Sequence, residues 1–184
     1  SNIDQVFLLI TTENPQTSTS FIDRFLVTSE AYGIKTILLF NKIDLYSDQS
    51  LIELEKLIKI YSKIGYNCLK ISAKRGNNIS KVKELMRGKT SMFSGHSGVG
   101  KSTLVNSIEP SLNLKTMVIS EMHHQGQHTT TFAQMFDLSF EARIIDTPGI
   151  KGFGVVNIKS SELDQYFPEI FTIKKNCKFH NCQH

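Results

Sequence analysis

The sequence predicts an α/β fold in which helices cover both faces of a mostly parallel sheet. Apolar runs of strand length, such as residues 6–10 and 37–40, alternate with segments whose apolar residues recur at helical spacing. The link between the last two predicted strands is too short for a crossover, which predicts one antiparallel edge strand. With 184 residues, 40% hydrophobic and 21% charged, the chain has the size and composition of one compact domain, or of one domain plus a fragment.

The first half of the chain alternates strands and helices. The expected elements are a strand at 6–10, a helix at 17–32 that Gly33 ends, a strand at 36–40, a helix opened by a capping box at 50–53, and a strand at 68–71. We expect Cys68 in the core because its neighbours are apolar.

The second half continues the alternation and then forms a hairpin. The expected elements are a helix carrying Ile79, Val82, Leu85 and Met86 that Gly88 ends, a strand at 90–93, a helix at 101–108, strands at 131–136 and 142–145, and a short helix at 160–167. Residues 121–131 are polar and predict a long loop, which inside a compact domain is usually functional.

Several functional classes are excluded or disfavoured by composition. No apolar run approaches the roughly 20 residues that cross a bilayer, and the first residues lack the pattern of a signal peptide. The chain starts without Met, so we expect the protein to extend upstream. Its 21 basic and 17 acidic residues give a net charge of +4, a mild preference for anionic partners that does not establish nucleic-acid binding.

A glycine-rich segment at residues 95–102 matches the pattern G-x-x-x-x-G-K-[ST] between a predicted strand and a predicted helix. Glycines let the backbone approach a phosphate group closely, and the N-terminus of the following helix favours an anion. We expect Lys101 to reach the β- and γ-phosphates and the Ser102 hydroxyl to bind Mg²⁺. The segment therefore predicts a site for a nucleotide phosphate chain.

Two motifs at strand ends indicate that the base is guanine. Residues 41–44 form N-K-x-D directly after the strand at 36–40. The Asp44 carboxylate can accept hydrogen bonds from N1–H and the exocyclic amine of guanine, whereas adenine has neither donor there. Residues 72–74 form S-A-K, where a backbone N–H can bind guanine O6. Each motif alone also fits an ordinary turn after a strand.

Two further segments are typical of magnesium and γ-phosphate contacts. Residues 146–149 form D-T-P-G after a predicted strand, so Asp146 can hold Mg²⁺ through a water molecule and the Gly149 N–H can contact the γ-phosphate. Residues 128–131 form H-T-T-T in the long polar loop, where a threonine hydroxyl can complete the Mg²⁺ shell. A threonine run before a strand also fits simple β propensity.

The order of these motifs indicates a circular permutation. Each one lies where a strand ends or in a loop at one edge of a parallel sheet, which is where ligands bind in such folds. In ordinary GTPases the glycine-rich loop comes first and N-K-x-D fourth, whereas here the two base motifs precede the glycine-rich loop.

With this order, the sequence resembles the RsgA/YjeQ family, circularly permuted GTPases of bacterial small-subunit maturation. The resemblance covers essentially the whole chain and rests on residues 41–44, 72–74, 95–103, 128–131, 146–149 and 177–184. It implies the three-layer fold of P-loop GTPases, slow GTP hydrolysis that the small ribosomal subunit accelerates, contact with 16S rRNA, and a cytoplasmic monomer that binds no membrane.

The resemblance also assigns residues. Nucleotide binding is expected at Asn41, Lys42, Asp44, Ser72, Ala73, Lys74, Gly95, His96, Ser97, Gly98, Val99, Gly100, Lys101, Ser102, Thr103, Asp146 and Gly149. Mg²⁺ ligation is expected at Ser102, Thr130 and, through water, Asp146. Lys101 and Thr130 are expected to take part in catalysis.

The end of the chain predicts part of a zinc site. The resemblance implies a GTPase domain at 1–165, the start of a zinc-binding domain at 166–184, and an OB-fold domain upstream of this chain. Its zinc ligands would be Cys177, Cys182 and His184, with a fourth beyond this sequence. Three ligands cannot complete a structural tetrahedron, so we expect zinc only with the downstream segment. The other interpretation is a frayed tail.

The residue that positions the attacking water in Ras-like GTPases is missing from its usual place in this sequence. Ras-like GTPases place a glutamine directly after D-x-x-G, and Ile150 stands at that position here. His128, beside the threonines, is the candidate we name for this catalytic role, since an imidazole can accept or relay a hydrogen bond at neutral pH. The other interpretation is a solvated or RNA-contacting histidine, with the ribosome supplying the group that positions the water.

Two other functions compete with a GTPase switch. One is a nucleotide-gated RNA-binding module with incidental hydrolysis, in which Lys174, Lys175 and Lys178 contact rRNA phosphates. The other is a P-loop kinase that uses ATP, which Asp44 disfavours.

Overall fold

The computed structural model describes residues 3–113, 134–146, 158, 160–174 and 176. The strands are β1 (Gln5–Ile10), β2 (Lys35–Phe40), β3 (Asn67–Lys70), β4 (Thr90–Ser94), β5 (Gln134–Asp137) and β6 (Arg143–Asp146). The helices are α1 (Thr19–Ala31), α2 (Asp48–Ile64), α3 (Ile79–Met86), α4 (Lys101–Ile108) and α5 (Pro168–Lys174), with 3₁₀ helices at Ile43–Leu45, Pro110–Leu112 and Ser160–Tyr166.

The six strands form one sheet in the order β3-β2-β1-β4-β6-β5. Every neighbouring pair is parallel except β5 and β6, which pair antiparallel at one edge. The predicted α/β class, the mostly parallel sheet and the antiparallel edge strand are therefore confirmed. Because the parallel strands point the same way, the loops that follow them gather at one edge of the sheet.

The central position of β1 explains why the strand is apolar at every position from Val6 to Ile10. Phe7 and Leu9 pack in the core on the side of α3 and α4, whereas Val6, Leu8 and Ile10 pack in the core on the side of α1 and α2. All five side chains are fully buried. Alternate side chains of a strand point to opposite faces, so a strand covered on both faces needs an uninterrupted apolar run.

The start of α2 differs from the prediction. Its N-cap is Ser47, whose hydroxyl accepts a hydrogen bond from the Ser50 N–H at 3.2 Å. A capping box at 50–53 is wrong, because the Ser50 N–H already has this partner and the Glu53 carboxylate pairs with Lys56 at 2.9 Å. The helix therefore starts at Asp48, and the predicted end of α1 at Gly33, which has φ of +64°, is confirmed.

Cys68 is half-buried rather than fully in the core, because its strand β3 is an edge strand of the sheet. It packs at the margin of the core on the side of α1 and α2, and burial raises the pKa of its thiol. We attribute the difference from the prediction to strand position, which local hydrophobicity does not show.

The C-terminal part of the described chain also differs. The helix predicted at 160–167 is a 3₁₀ helix, Ser160–Tyr166, and α5 follows it without having been predicted. Pro168 opens α5, a position that suits proline because the first helical N–H needs no intrahelical partner. The predicted polar loop at 121–131 lies outside the described residues.

No helix among the described residues is both long and apolar enough to span a membrane.

The position of the α2 N-cap can be tested by stability. We expect Ser47→Ala to lower the free energy of unfolding by about 1 kcal/mol, because the Ser50 N–H loses its acceptor. Glu53→Ala, on the exposed face of the same helix, should change it by less than about 0.5 kcal/mol. Chemical denaturation of both variants measures this. A larger cost for Glu53→Ala would place the cap at Ser50 instead.

Candidate nucleotide-binding site

The base motifs and the glycine-rich loop meet at the carboxyl edge of the sheet. N-K-x-D follows β2, S-A-K follows β3, and the glycine-rich loop follows β4, on the two sides of central β1. Strand β6 ends at Asp146, and its Ile145 pairs with Met92 of β4. Strand topology thus brings segments from distant parts of the sequence to one place, as predicted.

The side chain of Asn41 joins three of these segments. Its amide nitrogen donates to the Val99 carbonyl oxygen of the glycine-rich loop at 2.8 Å, and its amide oxygen accepts from the Ala73 N–H of the S-A-K loop at 3.0 Å. Asn41 itself is 2% exposed. Buried hydrogen bonds of this kind are costly to remove, because the remaining donor or acceptor is left in the interior without a partner. Asn41 therefore fixes the base loops relative to the phosphate loop.

Gly100 is required by this arrangement. A Cβ at residue 100 would lie 2.5 Å from the Asn41 amide nitrogen, and its φ of +98° lies in the region that favours glycine. The second glycine of the pattern therefore does more than admit a phosphate group. It leaves the space in which Asn41 reaches the loop.

Gly95 is required for a different close approach. A Cβ there would lie 2.6 Å from the carbonyl oxygen of Leu9 in β1, and φ is +140°. Since this neighbour is backbone, it cannot move aside as a flexible side chain would. The start of the glycine-rich loop is therefore packed directly on the end of the central strand.

The carboxylate of Asp44 is held by two neighbours from the loop after β3. The Ser72 hydroxyl donates to one oxygen at 2.5 Å, and the Arg75 Nε lies 3.9 Å from the other. Ser72 is fully buried, and its oxygen also accepts from the Arg75 N–H at 3.1 Å. Ser72 thus orients the group that we predicted to select guanine.

The S-A-K loop is fixed to α4 as well. The Ala73 carbonyl oxygen accepts a hydrogen bond from the Ser107 hydroxyl at 2.7 Å, and Ala73 is 3% exposed. Lys74, the last residue of the motif, is exposed. The buried part of the motif is therefore structural in this conformation, while its lysine faces solvent.

Lys101 lies inside the glycine-rich loop. Its ammonium donates to the carbonyl oxygens of Gly95 and His96, both at 2.7 Å. These carbonyls hold a positive charge at the centre of the loop. A phosphate group entering the loop would meet that charge at the start of α4, where the helix dipole also favours an anion.

His96 packs against α1. Its ring centroid lies 3.9 Å from that of Phe21, with the planes tilted by 35°. Burial lowers the pKa of the imidazole, and the nearby Lys101 ammonium lowers it further. The neutral ring is therefore favoured next to Lys101, and its contact with Phe21 attaches the loop to α1.

Sequence reasoning missed the loop after β1. Tyr46 donates its hydroxyl to the Asn41 carbonyl oxygen at 2.7 Å and accepts from the Thr12 N–H at 3.0 Å. The Lys42 ammonium donates to the Asn14 carbonyl oxygen at 2.6 Å, and burial lowers its pKa. The only sequence signal was that this loop follows the central strand, whose end lies at the edge where ligands bind.

The remaining predicted residues divide into those the structure places and those it does not. Val99 and Ser102 are buried, Thr103 is half-buried, and Ser97 and Gly98 are exposed. Outside the described residues lie His128, Thr130, Gly149, Cys177, Cys182 and His184, and only the backbone of Asp146 is described. Within the described part of the chain, no group of three His, Cys, Asp or Glu side chains could hold a metal ion.

Comparison with known families identifies the family of this chain. A model of the RsgA GTPase family matches residues 1–156. The chain belongs to the RsgA GTPase family. The predicted family is therefore confirmed.

Close relatives of the chain within the RsgA GTPase family carry the name small ribosomal subunit biogenesis GTPase RsgA. The protein of Flavobacterium johnsoniae is 66% identical over 184 residues, which are 100% of this chain and 57% of the relative. That of Christiangramia forsetii is also 66% identical and is covered to 58%. The chain thus spans less than two thirds of the length of these curated relatives.

Solved structures of the family confirm the permuted fold. The crystal structure of YjeQ from Thermotoga maritima is 39% identical with a TM-score of 0.83, covering 100% of this chain and 60% of that one. The structure of YloQ, described as a circularly permuted GTPase, is 31% identical with a TM-score of 0.77 and is covered to 57%.

The contact between Gly100 and Asn41 gives a stability prediction. We expect Gly100→Ala to lower the free energy of unfolding by about 3 kcal/mol, because backbone strain adds to the clash with the buried amide. Gly33→Ala is the matched control, since φ is +64° and nothing lies within 4 Å of its Cβ position. It should cost only about 1 kcal/mol. Equal costs in chemical denaturation would show that the contact contributes nothing.

Proposed function

We propose that this chain is the part of a small-subunit assembly factor that binds and hydrolyses GTP, with hydrolysis accelerated by the small ribosomal subunit. The names of the curated relatives support the assignment to small-subunit biogenesis. The observation that carries the proposal is the pair of hydrogen bonds made by Asn41, which link N-K-x-D, S-A-K and the glycine-rich loop into one nucleotide site.

Guanine is selected by Asp44 in this proposal. The carboxylate accepts hydrogen bonds from N1–H and the exocyclic amine of the base, and the Ser72 hydroxyl keeps it in place. Adenine would leave the carboxylate without these donors, which costs affinity. Asn41 and Lys42 belong to the same loop as Asp44, and the Lys42 ammonium donates a hydrogen bond to the Asn14 carbonyl oxygen.

The phosphate chain is held by the backbone of residues 95–100 and by the Lys101 ammonium. Ser102 lies in the first turn of α4 and is 8% exposed, so its hydroxyl fits a magnesium ligand beside that helix N-terminus. Asp146 at the end of β6 and Thr130 would complete the set. When bound, Mg²⁺ neutralises charge on the β- and γ-phosphates.

The attacking water is positioned by His128 in this proposal. Ile150 replaces the glutamine that Ras-like GTPases use, so another polar group must accept a hydrogen bond from the water. His128 precedes the threonines that would contact the γ-phosphate through Thr130. Lys101 stabilises the charge that develops on the phosphates as the bond to the leaving group breaks.

The longer protein supplies further parts of the proposal. We place the GTPase domain at 1–165 and the start of a zinc domain at 166–184, with Cys177, Cys182 and His184 as ligands and an OB-fold domain upstream. The full protein would act in the cytoplasm as a monomer that contacts 16S rRNA. Lys174, which the competing RNA-binding interpretation needs, already forms an ion pair with Asp164.

Turnover measurements test the proposal directly. GTP hydrolysis by this chain should be slow alone and should rise by at least about tenfold when purified small subunits are added. ATP should bind much more weakly than GTP, and adding small subunits should not accelerate its hydrolysis. Equal affinity for ATP and GTP, or turnover indifferent to subunits, would contradict the proposal.

The role of Asp44 gives a specificity prediction. Asp44→Asn should weaken GTP binding by about 100-fold, or about 3 kcal/mol, and should favour xanthosine triphosphate because donor and acceptor are exchanged. Asp48→Asn, in the first turn of α2, is the control and should leave both affinities unchanged. Titration with both nucleotides decides it. Unaltered GTP affinity in Asp44→Asn would remove this residue from base recognition.

The role of His128 gives a kinetic prediction. His128→Ala should lower subunit-stimulated turnover by more than about tenfold while GTP affinity stays intact, because only the water loses its hydrogen-bond partner. His123→Ala is the control from the same stretch of sequence and should leave turnover within about twofold. Unchanged turnover in His128→Ala would place the catalytic group elsewhere, most simply on the ribosome.

A further inference from the structure

The positive charge of the chain is concentrated in one stretch, residues 70–89, which we call the α3 basic segment. It holds seven of the 21 basic residues and one of the 17 acidic residues. The other 164 residues, with 14 basic and 16 acidic, are net negative. The basic residues of the segment are Lys70, Lys74, Arg75, Lys81, Lys83, Arg87 and Lys89.

Neighbouring acids neutralise only part of this charge. Lys70 forms an ion pair with Glu55, and the Arg75 Nε lies 3.9 Å from the Asp44 carboxylate. The Lys83 ammonium lies 5.4 Å from the Phe140 ring centroid, a contact that leaves its charge in place. Within the segment itself the only acid is Glu84.

Three cations of the α3 basic segment remain available to a partner. Lys74, Lys81 and Arg87 are exposed, and no ion pair of theirs is found within the described part of the chain. They lie before, on and at the end of α3. Lys81 and Arg87 are six positions apart, about 9 Å along the helix axis, and Lys74 lies in the loop five residues before the helix.

Helix α3, which carries Lys81 and ends at Arg87, is firmly held. Ile79, Val82 and Met86 of α3 are buried in the core on that side of the sheet. The loop before α3 contains Ala73, which bonds to Asn41 in the nucleotide site. Lys81 and Arg87 therefore lie on a firmly packed helix, and Lys74 lies in a loop that hydrogen bonds of Ala73 hold beside the site.

We propose that the α3 basic segment binds the phosphate backbone of ribosomal RNA through Lys74, Lys81 and Arg87. The proposal rests on the proposed function, since that function supplies the RNA-rich partner. Exposed cations on a packed helix and on the loop before it suit a dense line of phosphates, which is recognised by charge and shape rather than by sequence. Helix α3 itself lies on the opposite face of the sheet from α2, so this contact would use one side of the molecule.

Matched charge reversals test this surface. Lys81→Glu combined with Arg87→Glu changes α3, and Lys59→Glu combined with Lys63→Glu makes the same change in charge on exposed positions of α2. Affinity is measured for a 16S rRNA transcript and for purified small subunits, at several salt concentrations, with a non-hydrolysable GTP analogue bound. GTP affinity of both variants checks that the nucleotide site is intact.

The α3 variant should lose at least about tenfold in affinity for both the transcript and the subunit, and its salt slope should fall by about 2. The α2 variant should stay within about threefold of the parent. Equal losses in both variants, no loss in the α3 variant, or a parent that does not bind the transcript would overturn the proposal. Loss of subunit binding with transcript binding retained would also overturn it and would indicate a ribosomal protein as the partner.

These outcomes separate this surface from the proposed function. If the transcript binds through α3 but subunits fail to accelerate GTP turnover, the proposed function is wrong and the RNA surface stands. If turnover is accelerated and the α3 variant binds RNA like the parent, the proposed function stands and the RNA surface is wrong.

Discussion

The buried amide of Asn41 is the interaction on which the nucleotide site depends. Its two polar atoms connect the Val99 carbonyl and the Ala73 N–H, which belong to loops after different strands. Its backbone is held as well, because its N–H donates to Ile10 and its carbonyl accepts from Tyr46. One residue thereby fixes loops that are up to 58 residues apart in sequence. A displacement of one loop therefore disturbs the hydrogen bonds that hold the others.

The sheet makes this connection possible. The uninterrupted apolar run of β1 is buried on both faces at the centre of the sheet, with β2 and β4 paired parallel to it on its two sides. The carboxyl ends of these strands bring N-K-x-D and the glycine-rich loop together, although the two motifs are far apart in sequence. The permuted order of the motifs therefore leaves the site intact, since geometry depends on strand position and not on which half comes first.

The sequence predicted features that have local causes. Strand β1, the end of α1 at Gly33 and the bounds of α4 follow from apolar runs, positive φ and the loop pattern. It did not predict which of two serines caps α2, because the choice depends on one hydrogen bond. Nor did it predict that the Asn41 side chain bonds to the backbone of Val99 and Ala73, since these bonds link residues distant in sequence and have no local signal.

The nucleotide affinity of Asn41→Ala tests this account most directly. Its control is Asn67→Ala, which truncates an exposed asparagine at the start of edge strand β3. We predict that Asn41→Ala stays folded yet binds GDP at least about tenfold more weakly than the parent, because the loops lose their common bond. The control should bind as the parent does. GDP affinity within about twofold of the parent in a folded Asn41→Ala protein would contradict the claim that Asn41 holds the site together.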